Sequence, residues 1–524
     1  MIEEYHYKVT KRSDKNKVAE KILKGVDCNY WNESTKREIA NILEYADTAI
    51  VEHPYIDADF LSEYRLVYAG NFKNINNYTY RIIFFKENNL IGFVTLVPIY
   101  SKAHICRMFF NPHEIYNKDY KFLTKKYKIH FHGKEYYYRS FRAIRQEGCI
   151  CVCGHSAIYG INNYASDWRG YTEKTAGEVS LATPEHSMNN NLTFSLNADD
   201  VLHILNNFGF NPKYKKFEEQ EKLELISETL GYVQSGIPVL LIIGNLEHGV
   251  VAVGYKNFKI NDSIFGKDIN QNTSSTSNDI YSAYKKFNAH SNIFETSNNT
   301  DKTENDKLKD FKAIDANKLV DTFIINDDNR LPYIEIFKDS RPTKKSEYNW
   351  GIKDEDIGNN TRKNKGNNKY TIEDFEATII PLYPKLILDY NQAKSVSLSF
   401  LMTNYPNGKF IYRTFLTSSN KYKEYILELK NSKNSKAIEK ILLNVFPKFI
   451  WVTEIYYSAN NYNDGIVDAE IVIDSTQPYH SPETVIMYLS NNQKQIFREL
   501  NGNFTNDDGN IQLKRFEKNT DPLP

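Results

Sequence analysis

Between residues 136 and 164 the apolar pattern switches from strand-like to helical spacing, and that switch limits how the chain can fold. Tyr136 to Ile144 reads as a strand, whereas Ala157, Ile158, Ile161 and Tyr164 share one face of a helix. The intervening run is Gln146-Glu147-Gly148-Cys149-Ile150-Cys151-Val152-Cys153-Gly154-His155-Ser156-Ala157, so Cys153 stands where strand gives way to helix. A thiol at a helix N-terminus feels the positive end of the macrodipole, which favours thiolate, the form that attacks.

Two further segments supply what such a thiol needs. Glu247-His248-Gly249 precedes an apolar β-type run, Val250 to Tyr255, and Phe323-Ile324-Ile325-Asn326 leads into Asp327-Asp328. His248 is the candidate base, and Asp327, with Asp328 as the alternative, the group that fixes its tautomer. Gln146 and the Cys153 backbone N–H are the candidate donors to an oxyanion. Each piece alone has an ordinary reading: a packed cysteine, a satisfied histidine beside a strand, a turn. Their order and flanking elements together point to a nucleophile site. Cys151 is the alternative nucleophile. Cys149, Cys151 and Cys153 would share one face of a strand near His155, but there is no second cysteine pair of the kind structural zinc sites use, so no metal or other cofactor is expected.

At 524 residues the chain exceeds one ordinary domain, and 41% hydrophobic residues, with 38 Tyr and 30 Phe, can fill large cores. Lys plus Arg equals Asp plus Glu at 66 each, so no general attraction to phosphate backbones or anionic lipid is expected. The N-terminus lacks a secretion-signal pattern, the longest apolar stretch, Ile237 to Gly244, is too short to span a bilayer, and five cysteines make no disulfide framework. The expectation is a cytoplasmic protein with neither nucleic acid nor membrane as partner.

Four regions are expected. Residues 1–135 form an N-terminal α+β region with a hairpin at Lys86-Glu87-Asn88-Asn89 and a helix capped by Asp57. Residues 136–340 hold the chemistry, with capped helices near Asp199 and Glu219 and a polar insertion at about 260–306. Residues 341–369 are a polar linker or loop. Residues 370–524 form a C-terminal α+β region in which Val396 to Leu401, Phe410 to Leu416, Ile438 to Val445 and Phe449 to Tyr456 alternate strand-like and helical runs.

Gln146 through Ala157 resembles the oxyanion-glutamine and nucleophile segment of papain-like cysteine peptidases, and His248 to Tyr255 is similar to their histidine segment. Asn326-Asp327-Asp328, with Pro332-Tyr333 beyond, resembles the aspartate segment of the bacterial bacteriocin-processing branch. The pieces also resemble uncharacterised bacterial papain-like proteins with a Cys-Ala-His-Ala-Ala nucleophile helix and an upstream Glu-His-Pro-Tyr-Ile-Asp segment, here Glu52 to Asp57. There are departures: Gln146 to Cys153 is one residue longer than papain's spacing and Gln146 to Cys151 one shorter, and neither carboxylate directly precedes a proline. The resemblance implies an α+β fold whose core packs a nucleophile helix on an antiparallel sheet, flanked by further α+β regions. It implies a thiol hydrolase, a cysteine peptidase acting on a protein or peptide through Cys153, His248, Asp327 and Gln146, without a cofactor, and with flanks that bind substrate or a partner protein. Two alternatives stay open: the same fold as acyltransferase, transglutaminase or deamidase, or a non-catalytic binding protein.

Overall fold

The computed structural model describes residues 3–26, 33–69, 76–97, 105–145, 152–166, 170–185, 196–244, 248–261, 264, 311–337, 371–405, 407–429, 435–479, 481, 484–491, 495–498, 504–507 and 511–520. Gln146, Cys149 and Cys151, most of the polar insertion and the linker at 341–369 lie outside the described residues. The fold is α+β with predominantly antiparallel sheets. The chain divides into two compact units: Met1–Gln220, Ile237–Lys256 and Asp321–Tyr383 form the first, and Glu221–Gly236, Asn257–Val320 and Pro384–Pro524 the second.

The first unit holds two main sheets. One is an antiparallel meander of β1 (Glu3–Lys8), β2 (Thr48–Tyr55), β3 (Thr79–Lys86), β4 (Asn89–Leu96) and β5 (Ile105–Phe110), ending on the short edge strand β9 (Ala143–Ile144). The expected hairpin joins β3 to β4. Its two turn residues, Glu87 and Asn88, both have positive φ, which matches the right-handed twist of the paired strands. A second hairpin, β7 (Lys125–Phe131) with β8 (Lys134–Ser140), turns at His132-Gly133 in the same way. Buried and exposed residues alternate strictly along β7, and Tyr127, Ile129 and Phe131 join a cluster with Ile50, Ile83, Phe85 and Phe93 of the meander.

The other sheet runs β10 (Asn211–Lys216), β16 (Phe375–Leu382), β11 (Val239–Ile243), β12 (His248–Lys256), β14 (Thr322–Asn326) and β15 (Ile334–Phe337), with β6 (Tyr120–Phe122) also paired to β12. Its central strands are apolar on both faces because they are covered on both. Helix α4 (Cys153–Ala165) packs against β9 and β12 and against α5 (Ala176–Leu181) and α6 (Ala198–Asn207). Gly154 through Ala165 are all buried, so a helix with an apolar stripe is here enclosed on every side.

The compact units do not follow the expected boundaries. The N-terminal region is not separate from 136–340, since β9 completes the N-terminal meander by pairing with β5. Strand β16, read from sequence as the start of the C-terminal region, lies inside the sheet between β10 and β11. The helix expected near Glu219 is observed at Lys222–Gln234 and belongs to the second unit, as does β13 (Lys312–Asp315), which pairs in parallel with β17 (Lys409–Ser418). The second unit's sheet continues through β18 (Phe449–Tyr456), β19 (Ala469–Asp474), β20 (Val485–Ser490), β21 (Gln495–Arg498) and β22 (Phe504–Asp507). Val396 to Leu401 falls within a helix, Tyr390–Asn404.

Candidate active site

Cys153 is the first residue of α4, after Val152 in extended conformation. The ring of His155 fixes this start: its Nδ1 accepts the Val152 N–H at 3.3 Å and its Nε2 lies 2.7 Å from Thr183 Oγ1. Burial drives the His155 imidazole down to about 4, so it stays neutral at pH 7. It is a structural residue of the helix start, with both ring nitrogens engaged.

His248 opens β12 and Asp327 directly follows β14, and the two strands are adjacent, with Val251 opposite Asn326. Antiparallel pairing therefore brings together two residues 79 apart in sequence, with His248 Nε2–H donating to Asp327 Oδ1 at 3.0 Å. Asp327 also accepts the Asn329 N–H at 3.0 Å and lies 3.5 Å from Arg330 Nε. Asp328 Oδ1 is farther from His248 Nε2, at 3.6 Å, and its Oδ2 is buried with no hydrogen-bond partner among the described residues. Of the two sequence candidates, Asp327 is the one hydrogen-bonded to the imidazole.

The electrostatics separate the two carboxylates. Burial opposes charge on His248, but hydrogen bonds to Asp327 and to the Cys153 thiol, with the charges of Asp327 and Asp328, outweigh it and raise the imidazole to about 10. Burial likewise opposes the charge on Asp327, yet its hydrogen bond and attraction to His248 hold it well below the usual carboxylate range. For Asp328 burial dominates, repulsion from Asp327 adds to it, and the carboxyl is pushed up to about 7 against the attraction of His248. With Nε2 committed to Asp327, the remaining ring nitrogen, Nδ1, is the one left for the sulfur.

Cys153, Asp327 and Asp328 line one cleft with Phe141, Arg142, Ala143, Ile144, Ser156, Ala157, Gly249, Val251 and Asn326. Three supports of this cleft were missed in the sequence. Arg145 makes a bidentate pair with Glu38 of helix α2 (Glu33–Ile42), at 2.8 and 2.7 Å, and its charge bears on Asp327 and Asp328. Tyr333 has positive φ; its N–H donates to Asn326 Oδ1 at 2.9 Å, and its hydroxyl accepts the Phe141 N–H at 2.8 Å. It thereby ties the turn after Asp327 to the opposite wall. Gly160 lets α4 approach that wall, since a Cβ there would lie 2.6 Å from the Phe141 ring and 3.0 Å from the Arg142 carbonyl oxygen. Arg145, next to Gln146, and Tyr333, in the Pro332-Tyr333 pair beyond the aspartate segment, had a signal in the sequence, namely their positions.

His248, Asp327 and Asp328 each offer one donor atom, all within 4.8 Å of one another. Hydrogen bonding of Nε2 to Asp327 and the ion pair of Asp327 with Arg330 already use most of that capacity. Among the described residues no helix is long and apolar enough to cross a membrane. Comparison of the chain with protein-family models, with curated proteins and with solved structures finds no significant match.

Proposed function

We propose that the chain is a thiol hydrolase with a papain-like core, a cysteine peptidase in which Cys153 is the nucleophile, His248 the base and Asp327 the orienting carboxylate. The observation that carries this reading is the convergence of three elements at one cleft: a helix that begins at the sulfur, and two paired strands that reach the cleft through Gly249, Val251 and Asn326 and hold the His248 imidazole 3.0 Å from the Asp327 carboxylate. In this reaction the Cys153 sulfur attacks the substrate carbonyl carbon while His248 holds the thiol proton. The tetrahedral oxyanion takes hydrogen bonds from the Cys153 backbone N–H and the Gln146 side-chain amide. His248 then passes its proton to the leaving amine, and water, deprotonated by the same imidazole, cleaves the thioester and restores the thiol. Asp327 keeps Nε2 protonated and stabilises the imidazolium, which leaves Nδ1 for the sulfur.

The test is cleavage of unfolded protein substrates by the full chain, with products identified by mass spectrometry. Hydrolysed peptide bonds are expected from the parent, and none from Cys153→Ala or His248→Ala. Equal cleavage by Cys153→Ala would end the peptidase reading. Amine-linked or deamidated products in place of cleaved ones would reassign the same thioester chemistry to transfer or deamidation.

A further inference from the structure

Outside the cleft, the first unit carries a second cluster of groups with metal-ligand chemistry. Glu4 and His6 alternate on β1, so both side chains lie on one face of that strand, and His132 sits at the turn between β7 and β8. His132 Nε2 contacts Glu4 Oε2, His6 Nε2 lies 3.9 Å from the same oxygen, and the three donor atoms fall within 4.8 Å of one another. We propose that Glu4, His6 and His132 form a binding site for a divalent transition metal of the zinc type, which fastens the N-terminal strand to the β7–β8 hairpin.

The donor set fits that class of ion. Two imidazoles and one carboxylate suit zinc, whereas magnesium and calcium prefer oxygen alone. Around a tetrahedral ion at about 2.0–2.1 Å from each ligand, donor atoms stand about 3.3 Å apart. The present spacing brackets that value, and all three side chains are exposed enough to turn the remaining distance. The fourth position would be left to water.

Both sides of the cluster are built on packed structure. The His132 ring stacks on Phe131 with centroids 4.0 Å apart, and Phe131 is buried in the cluster that includes Ile50 and Phe85. Ile50 is the register partner of His6 across β1 and β2. The hairpin thus packs through this cluster on β2, the strand that pairs with β1 and carries Ile50 opposite His6. Strand β1 is the outermost strand of its sheet, held by β2 on one side. A metal bridging residues 6 and 132 would restrain that edge, since an ion bound only by the folded chain stabilises it by mass action.

The experiment is titration of the full chain with Zn²⁺ against a chromogenic chelator, with Mg²⁺ as control. It is run on the parent, on His6→Gln with His132→Asn, and on Cys149→Ser with Cys151→Ser and Cys153→Ser. The parent and the cysteine variant are expected to bind one zinc with equal affinity. The histidine variant is expected to lose about tenfold or more, with Mg²⁺ silent throughout. Zinc should also raise the melting temperature of the parent but not of the histidine variant. Unchanged zinc affinity in the histidine variant, or loss confined to the cysteine variant, would overturn the proposal. Neither readout involves catalysis, so the outcome is independent of the peptidase reading.

Discussion

Replacing Asp327 by asparagine removes one charge from the site while keeping its size, and the cost can be worked from the geometry. At 3.0 Å and an effective dielectric constant of about 20, a carboxylate and an imidazolium attract by about 5–6 kcal/mol. Breaking a buried pair by removing one partner costs about 3–5 kcal/mol. At about 1.4 kcal/mol per tenfold change, the imidazolium loses two to four decades of stability relative to the neutral ring. Burial, the largest influence on His248, disfavours its charge, so nothing but Asp328 and the thiol remains to hold the proton. The assay is an NMR titration of histidine-labelled protein. In the parent, the His248 ring should remain protonated until about pH 10. In Asp327→Asn its midpoint should fall by about two pH units or more, whereas Asp328→Asn should move it less. A His248 midpoint that does not respond to Asp327→Asn, or responds more to Asp328→Asn, would refute the assignment of orienter and the electrostatic argument with it.

Other expectations follow from the same site. Asp328 keeps its proton in the folded state up to about pH 7 but loses it near 3.8 when unfolded, so its contribution to stability falls as pH rises through that window. Asp328→Asn should therefore raise the melting temperature at pH 8, by the equivalent of about 1–3 kcal/mol, and leave it nearly unchanged at pH 3.5; equal gain at both pH values would count against a buried, protonated carboxyl. Gly160→Ala should cost about 1–3 kcal/mol in denaturant unfolding and slow any Cys153 chemistry, because its new methyl meets the Arg142 carbonyl. Glu38→Ala leaves Arg145 buried and unpaired and should cost about 3–5 kcal/mol; a loss below 1 kcal/mol would show that water or Asp328 takes over the pair.

What was legible in the sequence was mostly local. The period switch located α4 and its first residue, Asp57 capped its helix by accepting the Phe60 N–H at 2.9 Å, and the Glu87-Asn88 turn set its hairpin. His248 and Asp327 were readable because each adjoins an apolar strand, and adjacent strands bring their ends together. Pairing across long separations was not legible. Strand β16 lies among residues 211–243 through backbone hydrogen bonds that leave no mark on its side-chain pattern, and its apolar run fits any buried sheet. Hairpin β7–β8 was obscured because Lys125 occupies an inward position, where Ser166 Oγ at 2.8 Å and Glu173 satisfy its ammonium. Glu38 is buried against Arg145, a partner 107 residues away that no local pattern indicates. Even the start of α6 shifted, since Asn197 caps it and Asp200 returns the hydrogen bond as the third residue of a capping box.

The most direct measurement is the rate at which a small epoxide or iodoacetamide probe modifies Cys153 at pH 7, read by peptide mapping in the parent and in His248→Ala. If the imidazole generates a thiolate at the helix start, Cys153 should react at least about a hundredfold faster in the parent, with the other cysteines unaffected by the substitution. A Cys153 that resists the probe in the parent, or reacts as fast without His248, would contradict the account.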